Sequence, residues 1–304
     1  MLDPDADALR SLLLAAALPP LETMTPIEAR AMFAASRVRS GVRGPDLYAV
    51  QDLKAEGVPL RLYRPAPGSL PVVLFLHGGG WVLGDLDSHD ALCRHIADTS
   101  GLAVLAVEYR LAPEHPFPAA VDDCATALRW LAANAGTFGL DPSRVAAMGD
   151  SAGGNLAAVL ALMARDGDLP TIRGQVLAYP VTEVTLDQPS QALAGPGWTL
   201  TGAGMRWFRD HYLGNALPDW RAAPLRADPR GLVPTLIVTA GADPLCDEGI
   251  AFAGHLARSG VRVDHRHFPG QMHGFLTAGL TSPTAQQEIA RIADWLKEVL
   301  RDER

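Results

Sequence analysis

A serine flanked by glycines stands at the junction between a short apolar run and a predicted helix. The apolar residues 145–148 lead into Gly149-Asp150-Ser151-Ala152-Gly153. A chain that passes from strand to helix in so few residues strains the turn, and small neighbours let the two backbones approach. The helix would direct its free N–H groups and the positive end of its dipole at an oxyanion beside Ser151. The pattern indicates a nucleophile elbow, although ordinary strand-to-helix turns also contain Gly-x-Ser-x-Gly.

A serine nucleophile needs a histidine that accepts its proton and an acid that orients that histidine. In a parallel sheet such side chains gather beyond the carboxyl ends of the strands. Asp243 and His273 each follow a predicted strand directly, whereas three nearby histidines fall within a helix or a strand. The order Ser151, Asp243, His273 is that of the α/β hydrolases. Asp247 is the reserve candidate for the acid, because Asp243 could instead cap the next helix.

Three glycines follow a second predicted strand, in the stretch His77-Gly78-Gly79-Gly80-Trp81. Such a loop could cradle a phosphate, but the Lys-Ser/Thr ending of a phosphate-binding loop is missing. Bare backbone can instead come close to a substrate carbonyl. We therefore expect the N–H groups of Gly78, Gly79 and Ala152 to form an oxyanion hole. His77 is expected to hold this loop rather than to transfer protons.

Strand and helix patterns alternate between residues 71 and 301, which predicts an α/β fold with a mostly parallel central sheet flanked by helices. Alternating apolar and polar residues at 47–53 and 58–63 predict an antiparallel hairpin at the edge of the sheet. Two amphipathic helices precede this hairpin. One is predicted to be capped at Asp3, and the other by the capping-box pattern Thr25-Pro26-Ile27-Glu28.

Two segments outside the alternation are predicted to form a helical cap. Residues 1–45 contain the N-terminal cap helices, and residues 182–228 are an inserted cap segment with a capped helix from Thr201. Residues 46–181 and 229–304 then form the catalytic domain. Aromatic side chains between 198 and 212 could belong to the core of the cap or line an acyl pocket, and their spacing favours neither.

Composition excludes several kinds of partner. The 304 residues carry a formal net charge of −8 with a pI near 5.6, and they lack the clustered basic residues that a nucleic acid or an anionic membrane requires. No apolar stretch has the length of a membrane span, and the N-terminus lacks the basic region of a signal peptide. We expect a cytoplasmic protein that acts on a small molecule. The sequence leaves open whether it forms a homo-oligomer.

The cysteines and paired histidines do not indicate a metal site. Cys93, Cys124 and Cys246 have no metal-ligand spacing and cannot all pair, so we interpret them as reduced thiols. His265 and His267 have the spacing of two metal ligands on one strand face. Because no further ligand is placed beside them, histidines on the surface of a strand are favoured.

Five motifs, taken in order, resemble those of bacterial hormone-sensitive-lipase-type carboxylesterases. They are His77-Gly78-Gly79-Gly80-Trp81, the stretch from Glu108 to His115, Gly149-Asp150-Ser151-Ala152-Gly153-Gly154, Asp243-Pro244-Leu245 and His273-Gly274-Phe275. The resemblance extends from about residue 45 to 300. It implies an α/β-hydrolase sheet, a helical cap and hydrolysis of short- to medium-chain acyl esters without a cofactor. The matching positions imply Ser151 as nucleophile, Asp243 and His273 as its partners, and Gly78, Gly79 and Ala152 as oxyanion donors.

The function predicted from the sequence is therefore that of a serine carboxylesterase with an acyl-enzyme on Ser151. An amidase or a peptidase would share the triad and differ in its pocket. A non-catalytic small-molecule receptor on the same fold is less favoured, because such receptors lose the histidine that this chain keeps at position 273.

Overall fold

The computed structural model describes residues 1–193 and 195–302, with backbone only for residues 37–40. The helices are α1 (Pro4–Ala16), α2 (Pro26–Ser40), α3 (Asp90–Ser100), α4 (Ala119–Asn134), α5 (Ala152–Arg165), α6 (Gly202–Leu213), α7 (Cys246–Arg258) and α8 (Pro283–Val299). The strands are β1 (Ala49–Ala55), β2 (Val58–Arg64), β3 (Leu70–Leu76), β4 (Ala103–Val107), β5 (Leu140–Asp150), β6 (Gly174–Ala178), β7 (Thr235–Ala242) and β8 (Val263–Met272).

The strands form one eight-stranded sheet in the order β1-β2-β4-β3-β5-β6-β7-β8. β1 pairs with β2 and β2 with β4 in antiparallel fashion, and the remaining neighbours are parallel. The predicted edge hairpin is therefore present. The predicted fold class is confirmed: a mostly parallel sheet flanked by helices, as in the α/β-hydrolase fold.

The apolar run at β3 is continuous because both faces of the strand are buried. Val72, Leu74 and Leu76 pack into one core cluster, which also contains buried residues of α4, α5 and α7. Val73 and Phe75 point to the opposite cluster, which contains buried residues of α3 and α8. The sheet thus separates two helical layers, and its central strands carry no polar face.

Helix α3 has no counterpart in the sequence prediction. Its buried residues Leu92, Cys93, Ile96 and Ala97 lie on one face at helical spacing. Polar and charged residues separate them, which is the pattern of an amphipathic helix, and the sequence prediction omitted it. The helix nonetheless packs against α8.

The two segments outside the alternation touch each other. Arg10 of α1 donates through Nε to the carbonyl of Pro196 at 3.2 Å, and Trp207 of α6 donates through Nε1 to the carbonyl of Met24 at 3.2 Å. Residues from both segments therefore meet on the same side of the molecule. No helix within the described part of the chain combines the length and the apolarity needed to cross a bilayer.

The three predicted helix caps have different outcomes. Thr25 and Glu28 form the capping box, with the Thr25 N–H 2.8 Å from Glu28 Oε2, and Thr201 accepts from the N–H of Gly204 at 3.0 Å. The cap predicted at Asp3 is wrong in its side-chain contact. Asp3 occupies the N-cap position, but its carboxylate makes no cap hydrogen bond and accepts instead from Gln271 Nε2 at 3.0 Å.

Backbone contact fixes the turn between β5 and α5. A Cβ added at Gly149 would overlap the carbonyl oxygen of Gly153, and one added at Gly153 would overlap the carbonyl oxygen of Leu76. Only hydrogen fits at either position, so the end of β3 lies directly against the first turn of α5. The chain therefore brings two strand ends and one helix N-terminus together here.

We expect Gly149→Ala to lower the free energy of unfolding by about 1–3 kcal/mol, because backbone atoms must move to admit the methyl group. Urea unfolding followed by circular dichroism measures this difference. Gly136→Ala is the matched control, because a Cβ there meets nothing within 4 Å. An equal midpoint for Gly149→Ala and the wild type would contradict the tight packing of this turn.

Candidate active site

Ser151 occupies the turn between β5 and α5 in a conformation that side chains rarely adopt. Its φ is 55° and its ψ is −119°, a combination that costs about 1–3 kcal/mol in a residue other than glycine. The backbone is held from two directions: the Ser151 N–H donates to the Ala178 carbonyl at 2.9 Å, and the Ser151 carbonyl accepts from Val181 at 3.2 Å. The neighbouring β6 and its following loop thus keep the strained turn in place.

The structure brings the three predicted triad side chains together. His273 Nε2 lies 2.9 Å from Ser151 Oγ, and His273 Nδ1 lies 2.7 Å from Asp243 Oδ2. A carboxylate only accepts hydrogen bonds, so Nδ1 carries the proton and Nε2 is free to accept the serine proton. Asp243 is fully buried and also accepts from the N–H of Leu245 at 2.8 Å. The reserve acid, Asp247, instead accepts from the N–H of Ser190 at 2.8 Å.

The loop that carries His273 is held by both outlying segments. Thr199 donates to the His273 carbonyl at 2.7 Å, and the ring of Tyr179 meets the imidazole edge-on with centroids 4.9 Å apart. Two residues earlier, Gln271 donates through Nε2 to Asp5 at 2.8 Å, in addition to its bond to Asp3. The position of the histidine therefore depends on residues near the N-terminus and within 182–228.

One N–H group of the glycine loop after β3 already has a partner. The N–H of Gly78 donates to Asp150 Oδ1 at 2.8 Å. Gly79 and Gly80 have φ of 117° and 58°, in the left-handed region that favours glycine. Among the described residues, the N–H groups of Gly79, Gly80 and Ala152 find no hydrogen-bond acceptor. These three donors are free where Gly78 is not.

His77 is a neutral, loop-holding residue, in agreement with its predicted role. Burial lowers its pKa to about 4. Its Nδ1 donates to the Gly78 carbonyl at 2.8 Å, and its ring stacks on Tyr109 with centroids 4.1 Å apart. Tyr109 also donates its hydroxyl to the His77 carbonyl at 2.6 Å. Tyr109 belongs to the stretch from Glu108 to His115, which the sequence reasoning singled out without assigning it a role.

Arg30 of α2 joins the N-terminal segment to the glycine loop. Its Nε donates to the Val82 carbonyl at 2.8 Å, and its Nη2 donates to the Ala112 carbonyl at 2.8 Å. The same guanidinium forms a two-point ion pair with Glu114 at 2.8 and 2.7 Å, which lowers the pKa of that carboxyl to about 2. No local sequence signal marks Arg30, since its partners lie 52 to 84 residues away.

Two of the aromatic side chains between 198 and 212 pack against the glycine loop and the residue that follows it. Tyr212 is fully buried and stacks on Trp81 with centroids 4.0 Å apart. Phe208 lies so close to Gly80 that a Cβ on Gly80 would overlap the phenyl ring.

His265 and His267 are exposed on β8, and both rings face the hydroxyl of Thr239, at 2.9 and 3.0 Å.

A model of the family with the alpha/beta hydrolase fold matches residues 73–277 of this sequence. The chain belongs to the α/β-hydrolase family. This α/β hydrolase is 45% identical over 250 residues to the carboxylic ester hydrolase LipN of Mycobacterium tuberculosis, a match that covers 77% of the chain and 66% of LipN. It is 37% identical over 297 residues to the ethyl acetate hydrolase of Pseudomonas putida, covering 92% of each. The predicted resemblance to hormone-sensitive-lipase-type carboxylesterases is confirmed.

The fold of this α/β hydrolase also matches solved esterase structures. A hyperthermophilic esterase from the archaeon Pyrobaculum calidifontis has a TM-score of 0.91 at 38% identity, covering 98% of both chains. A thermostable esterase from Pseudomonas putida has a TM-score of 0.92 at 34% identity, covering 99% of this chain and 98% of that one. The likeness therefore includes the outlying helices as well as the sheet.

Glu248 of this α/β hydrolase is a fully buried carboxyl on α7. Its Oε1 accepts from the N–H groups of Thr182 and Glu183 at 2.7 and 3.2 Å. Burial outweighs these bonds and raises the pKa of Glu248 to about 8. Because the native state then binds a proton that the unfolded chain has released, stability falls as the pH rises from about 4.5 to about 8.

We expect Glu248→Gln to remove this pH dependence, because an amide keeps the accepting oxygen and does not ionise. Between pH 5 and pH 8, the variant should gain at least about 1 kcal/mol in free energy of unfolding relative to the wild type, since one unit of pKa corresponds to about 1.36 kcal/mol. Urea unfolding at both pH values measures the gain. The half-exposed Glu298 of α8 supplies the control Glu298→Gln. A difference that stays constant with pH would show that Glu248 ionises equally in both states.

Proposed function

We propose that the protein is a serine carboxylesterase that hydrolyses short- to medium-chain acyl esters through an acyl-enzyme on Ser151. The observation that carries the proposal is the unbroken chain of contacts from Ser151 Oγ through His273 to Asp243. The names of the relatives, carboxylic ester hydrolase and ethyl acetate hydrolase, support an ester as the substrate. No step of the reaction requires a cofactor, because the residues supply both the nucleophile and the base.

In the first half of the reaction, Ser151 Oγ attacks the ester carbonyl carbon while His273 Nε2 takes the serine proton. The carbonyl double bond opens and its oxygen becomes an oxyanion. When the carbonyl re-forms, the bond to the alcohol oxygen breaks and His273 gives the alcohol its proton. In the second half, water gives a proton to His273 and its oxygen bonds to the acyl carbon. The bond from that carbon to Ser151 Oγ then breaks, the carboxylic acid leaves, and His273 returns the proton to Ser151.

Asp243 supports the charged state of the base. Its carboxylate holds Nδ1–H of His273, which fixes the tautomer with Nε2 free, and it stabilises the imidazolium formed during the attack. Because Asp243 is fully buried, water does not screen this interaction. The acid therefore acts through His273 and does not itself change protonation.

The donors of the oxyanion hole are the N–H groups of Gly79, Gly80 and Ala152. Ala152 is the first residue of α5, where the N–H has no partner within the helix and the helix dipole favours negative charge. Gly79 and Gly80 are placed by the loop whose first glycine is tied to Asp150. Gly78 thus anchors the loop. In this proposal Gly80 is the third donor, in the place that the sequence prediction gave to Gly78.

Residues 1–45 and 182–228 form the cap over this site, and residues 46–181 and 229–304 form the catalytic domain. The contacts of Arg10 with Pro196 and of Trp207 with Met24 support a single cap made from both segments. Its contacts with the His273 loop and with the glycine loop support a role in shaping the substrate site.

The protein acts on a small molecule in a reducing compartment, the cytoplasm. All three cysteines are buried and unpaired, which supports this assignment, because disulfides form mainly in oxidising compartments. Burial also raises the pKa of the Cys93 and Cys124 thiols, so both remain unreactive packing residues.

We expect Ser151→Ala to lower kcat for 4-nitrophenyl butyrate by at least about 10³-fold, because no other side chain of the triad can form the acyl-enzyme. Release of 4-nitrophenolate measures the rate. Ser69→Ala changes an exposed serine far from the triad and serves as the control. Equal turnover in Ser151→Ala and the wild type would refute Ser151 as the nucleophile.

Asp243→Asn and Asp247→Asn distinguish the two candidate acids. We expect the first to lower kcat by about 10⁴-fold, because an asparagine no longer stabilises the imidazolium and permits the wrong tautomer. The second should leave kcat within a factor of a few, because Asp247 bonds Ser190 and not His273. The same ester assay measures both, and the reverse ranking would assign the acid to Asp247.

A further inference from the structure

A second buried histidine–carboxylate pair lies next to the glycine loop. Asp150, the residue before the nucleophile, accepts at Oδ1 from the N–H of Gly78 at 2.8 Å and contacts His89 Nε2 at 3.1 Å. The exposed fractions are 4% for Asp150 and 5% for His89. His89 precedes α3 and plays no part in the triad chemistry. The pair is therefore a buried histidine–carboxylate contact to which the proposed reaction assigns no role.

The protonation state of His89 follows from counting the donors around it. Ser88 Oγ lies 2.6 Å from the carbonyl oxygen of Asp85, so the serine hydroxyl proton must be donated there. His89 Nδ1 lies 2.8 Å from the same Ser88 Oγ, which can now only accept. The carboxylate of Asp150 also only accepts, so Nε2 must carry a proton as well. An acceptor therefore faces each ring nitrogen of His89, an arrangement that suits a doubly protonated ring.

The surroundings of His89 are consistent with a cation. The ring centroids of His77 and His89 are 5.7 Å apart. Burial is the main cause of the low pKa of His77, and the interaction with His89 lowers it further. Burial opposes ionisation of Asp150, but the charge of His89 and the bonds from His89 and Gly78 keep the pKa of Asp150 below its usual value. The cluster thus combines one carboxylate with two imidazoles, of which His77 is the neutral one.

We propose that His89 is a positioning residue for the oxyanion hole: its imidazolium neutralises Asp150 and fixes the carboxylate on the Gly78 N–H, so that Gly79 and Gly80 keep their place beside Ser151. The proposal rests on the esterase function proposed above. Asp150 is adjacent to the nucleophile in sequence, and an uncompensated carboxylate there would repel the negative charge that develops on the substrate oxygen. His89 removes that repulsion and holds the loop at the same time.

The effect should appear in the chemical step. Oxyanion donors bind the transition state more strongly than the substrate, so their misplacement lowers kcat and leaves KM nearly unchanged. We expect His89→Gln to lower kcat by about 10- to 100-fold, less than the roughly 10²- to 10³-fold loss typical of deleting a direct donor. KM should change by less than about threefold, since no contact of the ground state is removed.

The matched control is His255→Gln, which replaces a partly buried histidine on α7 that bonds the Ala227 carbonyl at 3.1 Å. Titration of active sites with a phosphonate that esterifies the serine gives kcat per competent enzyme, so a loss of folded protein does not imitate the effect. If the wild-type protein forms no acyl-enzyme with the ester, the esterase proposal itself is refuted. An active wild type whose kcat is unchanged in His89→Gln would refute only the role of His89.

The charge of His89 has its own spectroscopic test. In protein carrying ¹⁵N-labelled histidine, both ring nitrogens of His89 should have the chemical shifts of protonated nitrogens at pH 7, and the signals missing from His89→Gln identify them. A neutral tautomer would overturn the proposal. If His89→Gln does not fold, Ser88→Ala decides, because it removes the acceptor of Nδ1–H and leaves the ring. We expect a severalfold lower kcat with unchanged KM there, and an unchanged kcat would count against the proposal.

Discussion

The close backbone contact between the end of β3 and the start of α5 is the constraint on which the rest of the site depends. Because Gly153 has no side chain, the carbonyl of Leu76 lies against the first turn of α5, and the loop that follows Leu76 runs beside Ser151. One contact therefore places the nucleophile, the helix N-terminus and the glycine loop within a few ångströms. The strained φ of Ser151 is the local cost of this arrangement.

Two histidine–carboxylate pairs lie near this contact, and they differ in how their protons are held. In the pair of His273 with Asp243, one ring nitrogen is left free, so the imidazole can accept and return a proton. In the pair of His89 with Asp150, acceptors surround both nitrogens, so the proton is held. The same two residue types thus give a mobile charge in one place and a fixed charge in the other.

The sheet and the triad could be predicted from the sequence because both depend on local patterns. Each triad residue directly follows an apolar run, and parallel strands bring their carboxyl ends to one edge of the sheet. Whether the Gly78 N–H is free could not be predicted in this way, because its acceptor is Asp150, 72 residues later. The cap at Asp3 failed for the same reason, since its competing partner Gln271 is 268 residues distant. Helix α3 was missed although its buried residues have helical spacing, so a local signal for it was present.

The guanidinium of Arg30 has a consequence for redesign of substrate range. It donates to the carbonyl of Val82 and pairs with the carboxylate of Glu114, so one side chain joins α2 to the segment that follows the glycine loop. A helix borrowed from another esterase to change the acyl preference would break this fastening unless it supplied an arginine at position 30. Chimaeras that combine the cap of one family member with the catalytic domain of another therefore have to keep the residues at positions 30 and 114 together.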